Sequence, residues 1–219
     1  RIPLFSLESR AALRGFDVVG FSLSNELCYT NVLNMLDLAG ITVRRADRTE
    51  ADPLIIAGGG MANGCEPLAD FVDLFVLGEG EQAIVELADL LRAARQTGQR
   101  RDEVLREIAR RFDWAYVPQF YEFEYAGERI VSFRATEPGL RTRFENAVVE
   151  DFENAPAPTR PIVPFAEAIH ERVSVEIMRG CPGRCRFCQA SYCRRPIRFR
   201  SVEKVFELAK QSYLASGFD

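Results

Sequence analysis

The chain has 219 residues and a mass of 24.7 kDa, with 47% hydrophobic and 27% charged residues and a formal net charge of −4. That is long enough for one large domain or two small ones and ordinary for a soluble globular protein. Nucleic acid is not indicated by the charge balance, and the longest apolar runs are far shorter than a membrane span.

Residues 17–23 (DVVGFSL) form a short apolar run, the mark of a buried strand in a sheet covered on both faces. Residues 26–39 place Leu27, Val32, Leu36 and Ala39 at helical spacing, and Gly40 suits the C-cap. A short strand is expected at 41–44 (ITVR), a second at 53–57 (PLIIA) before Gly58, Gly59 and Gly60, and a third at 71–77 (FVDLFVL) before Gly78-Glu79-Gly80-Glu81. A helix then runs to about residue 96, with Ile84, Leu87, Leu90 and Leu91 on one side. This order predicts an α/β fold with an open, Rossmann- or flavodoxin-like parallel sheet over residues 1–98.

Residues 99–165 read as an α+β connector. It holds a charged amphipathic helix at 102–112, a hairpin turning at Ala126-Gly127, and a stretch from 151 to 164 carrying four of the eleven prolines. A third unit, 166–219, starts with a strand over 173–178 (VSVEIM). Ser201 caps its helix, whose apolar stripe is Val202, Val205, Phe206, Ala209 and Tyr213, and Gly217 ends it.

Six cysteines in 219 residues are too few for a secreted disulfide scaffold, and three lie within eight residues at Cys181, Cys185 and Cys188. This points to a reducing, cytoplasmic setting with clustered thiols as metal ligands. The CxxxCxxC spacing sits on one loop between a strand and a helix. A structural zinc site more often draws four ligands as two separated pairs. A 4Fe–4S cluster held by three thiolates leaves one iron open. Gly180 and Gly183 let the loop wrap closely, and Arg184 and Arg186 can offset thiolate charge. A closed zinc or redox site with Cys193 as fourth ligand is the alternative. Cys28 and Cys65 suit packing as small hydrophobes. Arg194, Arg195, Arg198 and Arg200 read as a solvated face or as contacts to a carboxylate or phosphate.

The segment RGCPGRCRFC, with its three cysteines, resembles the signature of the radical SAM superfamily. The resemblance implies a 4Fe–4S cluster on Cys181, Cys185 and Cys188, with S-adenosylmethionine (SAM) chelated to the open iron. It implies reductive cleavage to a 5′-deoxyadenosyl radical, Phe187 beside the adenine, an electron donor of flavodoxin or ferredoxin type, and a substrate that no residue here selects. Ser22, Gly58 and Gly59 match the nucleotide-tail slot of the cobalamin-binding domain found in one radical SAM subgroup. The subgroup's S-x-L is Ser22-Leu23-Ser24 here, with Ser24 in the place of the leucine. Its DxHxxG loop would fall before Arg1, and the single histidine, His170, is expected beside the first barrel strand. The order from PLFSLESR through LNMLDLAG to RVSVEIMRGC is similar to a bacterial radical SAM family with a cobalamin-binding-like front domain. Methyl transfer is then the expected chemistry if cobalamin binds. A radical SAM (βα) barrel needs about six units of roughly 30 residues, and 46 residues follow Val173. The reading therefore expects the start of a barrel in a piece of a longer enzyme, inactive by itself.

Overall fold

Val18–Ser22 forms strand β1, and Leu54–Gly58 forms β2 parallel to it, with Val18 opposite Leu54 and Ser22 opposite Gly58. Leu74–Val76 forms β3, parallel to β2, and Ala115–Tyr116 forms β4, antiparallel to β3. The result is a four-stranded sheet in the order β1-β2-β3-β4. The α/β class is as expected, but β4 makes the sheet mixed rather than wholly parallel. The computed structural model describes residues 3–163 and 172–218. The chain divides into two compact units, Arg1–Val148 and Val149–Asp219. Among the described residues no helix is long and apolar enough to cross a membrane.

In the first unit, helix α1 (Tyr29–Ala39) buries Val32, Leu36 and Ala39, and Gly40 closes it in the left-handed conformation. Helix α2 (Gly80–Thr97) buries Ala83, Leu87, Leu90 and Ala94, a stripe at helical spacing. Ile84, expected on the buried side, lies one position off that stripe and is 45% exposed. Helix α3 (Arg101–Arg111) buries Val104, Leu105, Ile108 and Ala109. Strands β5 (Tyr121–Ala126) and β6 (Arg129–Ala135) form the expected hairpin. Leu105, Ile108 and Tyr121 share one core with the sheet residues Ile55, Leu74 and Phe75.

Two expected strands differ. Residues 41–44 form no strand, because their polar backbone is committed elsewhere. Ile41 N–H donates to Leu36 O, and Arg48 donates to Thr42 O and Val43 O. The third strand is shorter than the run 71–77, because Phe71 and Val72 N–H both close a turn onto Leu68 O. Asp73, inside that run, is fully buried. Its Oδ2 accepts from Arg48 Nη1 (2.9 Å), Arg101 Nη2 (2.6 Å) and Ile55 N–H (2.7 Å).

In the second unit, Val149, Phe152 and Ala155 form a small core. Of the expected strand 173–178, only Met178–Arg179 (β7) forms a ladder, antiparallel to Arg198–Phe199 (β8). Ile177 O accepts from Arg200 N–H at the edge of that ladder, and the ladder goes no further toward Val173 among the described residues. Helix α4 spans Ala190–Cys193 and helix α5 spans Val202–Ser216. Ser201 Oγ accepts from Lys204 N–H, as a capping serine does. Of the stripe expected on α5, Val202, Phe206 and Tyr213 are exposed, Phe206 at 70%, while Val205 and Ala209 are half-buried and Leu208 and Ser212 face inward.

Candidate metal centre

The cysteine loop leaves β7 at Gly180 and re-enters helix at α4. It is held by hydrogen bonds from the chain that follows it. Cys188 N–H donates to Cys185 O (3.0 Å), and Ser191 Oγ donates to Cys188 O (2.9 Å). Tyr192 Oη donates to Arg184 O (3.2 Å). Arg195 spans the loop, with Nη2 to Gly183 O (3.3 Å) and Nε to Ser191 O (2.8 Å). Arg195 therefore acts on backbone carbonyls. So do Arg198, which donates to Val149 O, and the buried Arg200, which donates to Glu153 O and Ala155 O and stacks on Phe152. These arginines build the second unit and are not a purely solvated face. Tyr192 carries no sequence signal for this role, because a tyrosine that closes a loop has no characteristic spacing.

Cys181 and Cys188 are half-buried and Cys185 is exposed. Cys181 and Cys185 flank Gly183: a Cβ there would lie 3.4 Å from Cys181 Sγ and 3.6 Å from Cys185 Sγ. Among the described residues no three His, Cys, Asp or Glu side chains are grouped to hold one metal ion. The loop thus brings two of the three thiols to one bare Cα and leaves the third thiol outside a common ligand group. The donor set itself fits an iron–sulfur cluster. It has three thiols within eight residues, no acidic side chain from Gly180 to Ser191, and two arginines in the loop. Phe187 is 92% exposed. Cys193 sits at the end of α4, its N–H donating to Gln189 O (3.0 Å). His170 lies outside the described residues.

In the first unit, Ser22 ends β1 and Gly58 ends β2, side by side. Gly59 has φ +97°, and a Cβ on it would meet Leu23 O at 3.0 Å, Leu23 N at 3.1 Å and Ser22 Oγ at 3.2 Å. Leu23 N–H donates to Gly58 O (2.7 Å), and Met61 N–H donates to Leu23 O (3.0 Å). The glycine is required by this close approach of two backbones. Gly78 serves a similar contact, bridging to Ala147, whose N–H donates to Leu77 O.

Cys65 is 5% exposed, and burial pushes its thiol up to about 12. At pH 8 its thiolate fraction is about one in ten thousand. Alkylation of the native protein by iodoacetamide at that pH is expected to spare Cys65 and to modify the exposed Cys185, read by peptide mass mapping. Modification of Cys65 as fast as Cys185 would contradict its burial.

Residues 1–118, more than half of the chain, match the family described as radical SAM proteins, N-terminal. The chain belongs to that radical SAM family. A curated relative, an uncharacterized protein of Methanocaldococcus jannaschii, is 25% identical over 214 residues, 96% of this chain and 38% of the relative. The chain thus spans well under half the length of that relative. No solved structure is significantly similar to it. The family match covers the first unit up to Pro118, and the cysteine loop lies beyond it.

Proposed function

We propose that the chain carries the cluster loop of a radical SAM enzyme, with Cys181, Cys185 and Cys188 as ligands to a 4Fe–4S cluster. The single observation that carries this is a CxxxCxxC loop, leaving a strand at Gly180, that follows an N-terminal radical SAM domain in the same chain. When bound, such a cluster supplies the electron that cleaves the sulfonium of SAM. The chain's own part is to hold three thiolates on one loop, keep Gly183 clear between two of them, and tie the loop to α4 through Tyr192 and Arg195. Phe187, exposed at the rim of that loop, is the candidate to pack beside the adenine. An electron donor of flavodoxin or ferredoxin type, a cytoplasmic setting and the start of a (βα) barrel are parts of the same proposal. The substrate is not specified by any residue described.

Anaerobic reconstitution with iron and sulfide should give about four irons per chain, with broad absorption near roughly 400 nm. SAM should change the electron paramagnetic resonance signal of the reduced form. Alanine at Cys181, Cys185 or Cys188 should abolish iron uptake, and Cys193→Ala should leave it intact. Zinc in place of iron, or loss of the cluster in Cys193→Ala, overturns the assignment.

Cobalamin bound at Ser22, Gly58 and Gly59 of a flavodoxin-like front domain, with methyl transfer as the reaction, is the finer form of the proposal. It rests on the resemblance, since the packing of Leu23 already accounts for Gly59. Saturable cobalamin binding that is lost in Ser22→Leu would support it. Absence of binding removes cobalamin and leaves the cluster proposal standing.

A further inference from the structure

A cleft of about 440 Å³ opens in the first unit, and Ser22 is not among its lining residues. Its floor comes from the segment after β2 and from Leu77 after β3, the carboxyl ends of two parallel strands. That end of an open α/β sheet is where such sheets take small ligands. Its walls are aromatic. Tyr116 comes from β4, Phe123 and Phe133 from the β5–β6 hairpin, and Phe144 from the segment that follows. These rings already touch one another, Phe123 and Phe133 at 4.8 Å between centroids and Tyr116 and Phe144 edge-on at 5.3 Å.

Three polar side chains converge on the same space. Asn63 Nδ2 donates to Asn146 Oδ1 across the cleft (2.8 Å). Glu66 Oε2 accepts from Tyr116 Oη (2.7 Å), which fixes the carboxylate at the cleft wall. That single bond leaves Glu66 with accepting capacity on both oxygens. Burial raises the Glu66 carboxyl above its ordinary range, while the Tyr116 hydroxyl bond works against that rise. A cleft with flat aromatic walls and a fixed carboxylate suits a planar ring that presents adjacent N–H donors. A flat ring can stack on a Phe face, and a carboxylate pairs with two neighbouring donors in a bidentate way. Guanine presents such an edge, N1–H beside its N2 amino group. Adenine presents an acceptor nitrogen at the corresponding place and is repelled by a carboxylate.

The geometry points to this cleft as a guanine-type nucleoside site, with Glu66 reading the donor edge, Asn63 and Asn146 contacting the remaining polar atoms, and the Phe123–Phe133 pair stacking on the ring. The inference is independent of the cluster and of cobalamin, because every residue it uses lies in the first unit and outside Ser22, Gly58 and Gly59.

Isothermal titration of the whole chain with guanosine and with adenosine tests it. Guanosine is expected to bind saturably at one site, and adenosine roughly tenfold more weakly or worse, the discrimination of one good bidentate pair. Glu66→Gln keeps an acceptor for Tyr116 and swaps one accepting oxygen for a donor amide, so it should erase the preference. Asn63→Ala, at an exposed position, should weaken guanosine binding with no change in thermal unfolding. No saturable guanosine binding, equal binding of the two nucleosides, or full guanosine affinity in Glu66→Gln each overturns the proposal.

Discussion

Replacing Asp73 with alanine is expected to lower the unfolding free energy of the first unit by about 3–5 kcal/mol, the range for removing one partner of a buried ion pair. Asp73 and Arg48 have side chains 1% and 0% exposed, and Arg101 is 13% exposed. Burial alone lowers the pKa of the Arg48 guanidinium, and Asp73 is the largest influence in the opposite direction. Without the carboxylate, Arg48 would keep its bonds to Thr42 O, Val43 O and Phe71 O but lose its counter-charge. Ile55 N–H, inside β2, would lose its acceptor as well. The cost therefore combines a stranded cation with an orphaned strand amide, both out of reach of water. Asp73→Asn keeps an oxygen for Ile55 and drops the charge, so it should fall between wild type and alanine. The control is Glu122→Ala, which removes an ion pair to Arg134 whose side chains are 55% and 72% exposed. It should cost less than about 1 kcal/mol. Urea unfolding followed by far-ultraviolet circular dichroism reads all three. A loss of under about 1 kcal/mol in Asp73→Ala would mean that the three side chains are not packed together as described.

That network also marks where the sequence stops being readable. FVDLFVL looks like one apolar strand, and the aspartate inside it looks like a flaw. Its partners sit 25 and 28 residues away, in a loop and in a helix, so nothing local explains it. The elements with a strong period were legible. DVVGF and LIIA became β1 and β2, Gly40 closed α1, and the hairpin turned at Gly127. The residues 41–44 and 173–177 failed for one reason: β propensity describes a residue that fits a ladder, and neither stretch has one among the described residues. The α5 stripe was legible as a pattern, but its Phe206 and Val202 face solvent, because amphipathicity names the face and not the partner. For the candidate site, the three cysteines were plain from spacing. The restraint of their loop by Tyr192 and Arg195, and the convergence of Asn63, Glu66 and the hairpin aromatics, depend on chain paths that no spacing encodes.

Gly180→Ala is expected to cripple the metal binding proposed for the cysteine loop while leaving the first unit as stable as before. Gly180 has φ +89°, outside the region that a residue with a Cβ adopts without strain. A Cβ there would also lie 2.8 Å from Arg194 O and 2.9 Å from both Ile197 Cα and Pro196 O. All three are backbone atoms, so a side-chain rotation cannot relieve the contact. The strand leaving β7 would have to move away from the segment 194–197. That segment carries Arg195, whose guanidinium holds Gly183 O, and Gly183 is the residue that Cys181 and Cys185 flank. The displacement thus reaches the thiols by two routes, along the chain into Cys181, the next residue, and through Arg195 onto Gly183. Supporting residues of this kind cost metal sites roughly 10–100-fold in affinity when altered. Iron retained per chain after anaerobic reconstitution and a chelator challenge is the readout, with the denaturant profile of the first unit as the control. Arg195→Ala should show a smaller loss in the same assay, since it removes the restraint but adds no clash. If Gly180→Ala retains iron as well as the unaltered chain does, the segment 194–197 does not set the position of the cysteines. The loop would then have to close around a cluster by a path independent of Gly180.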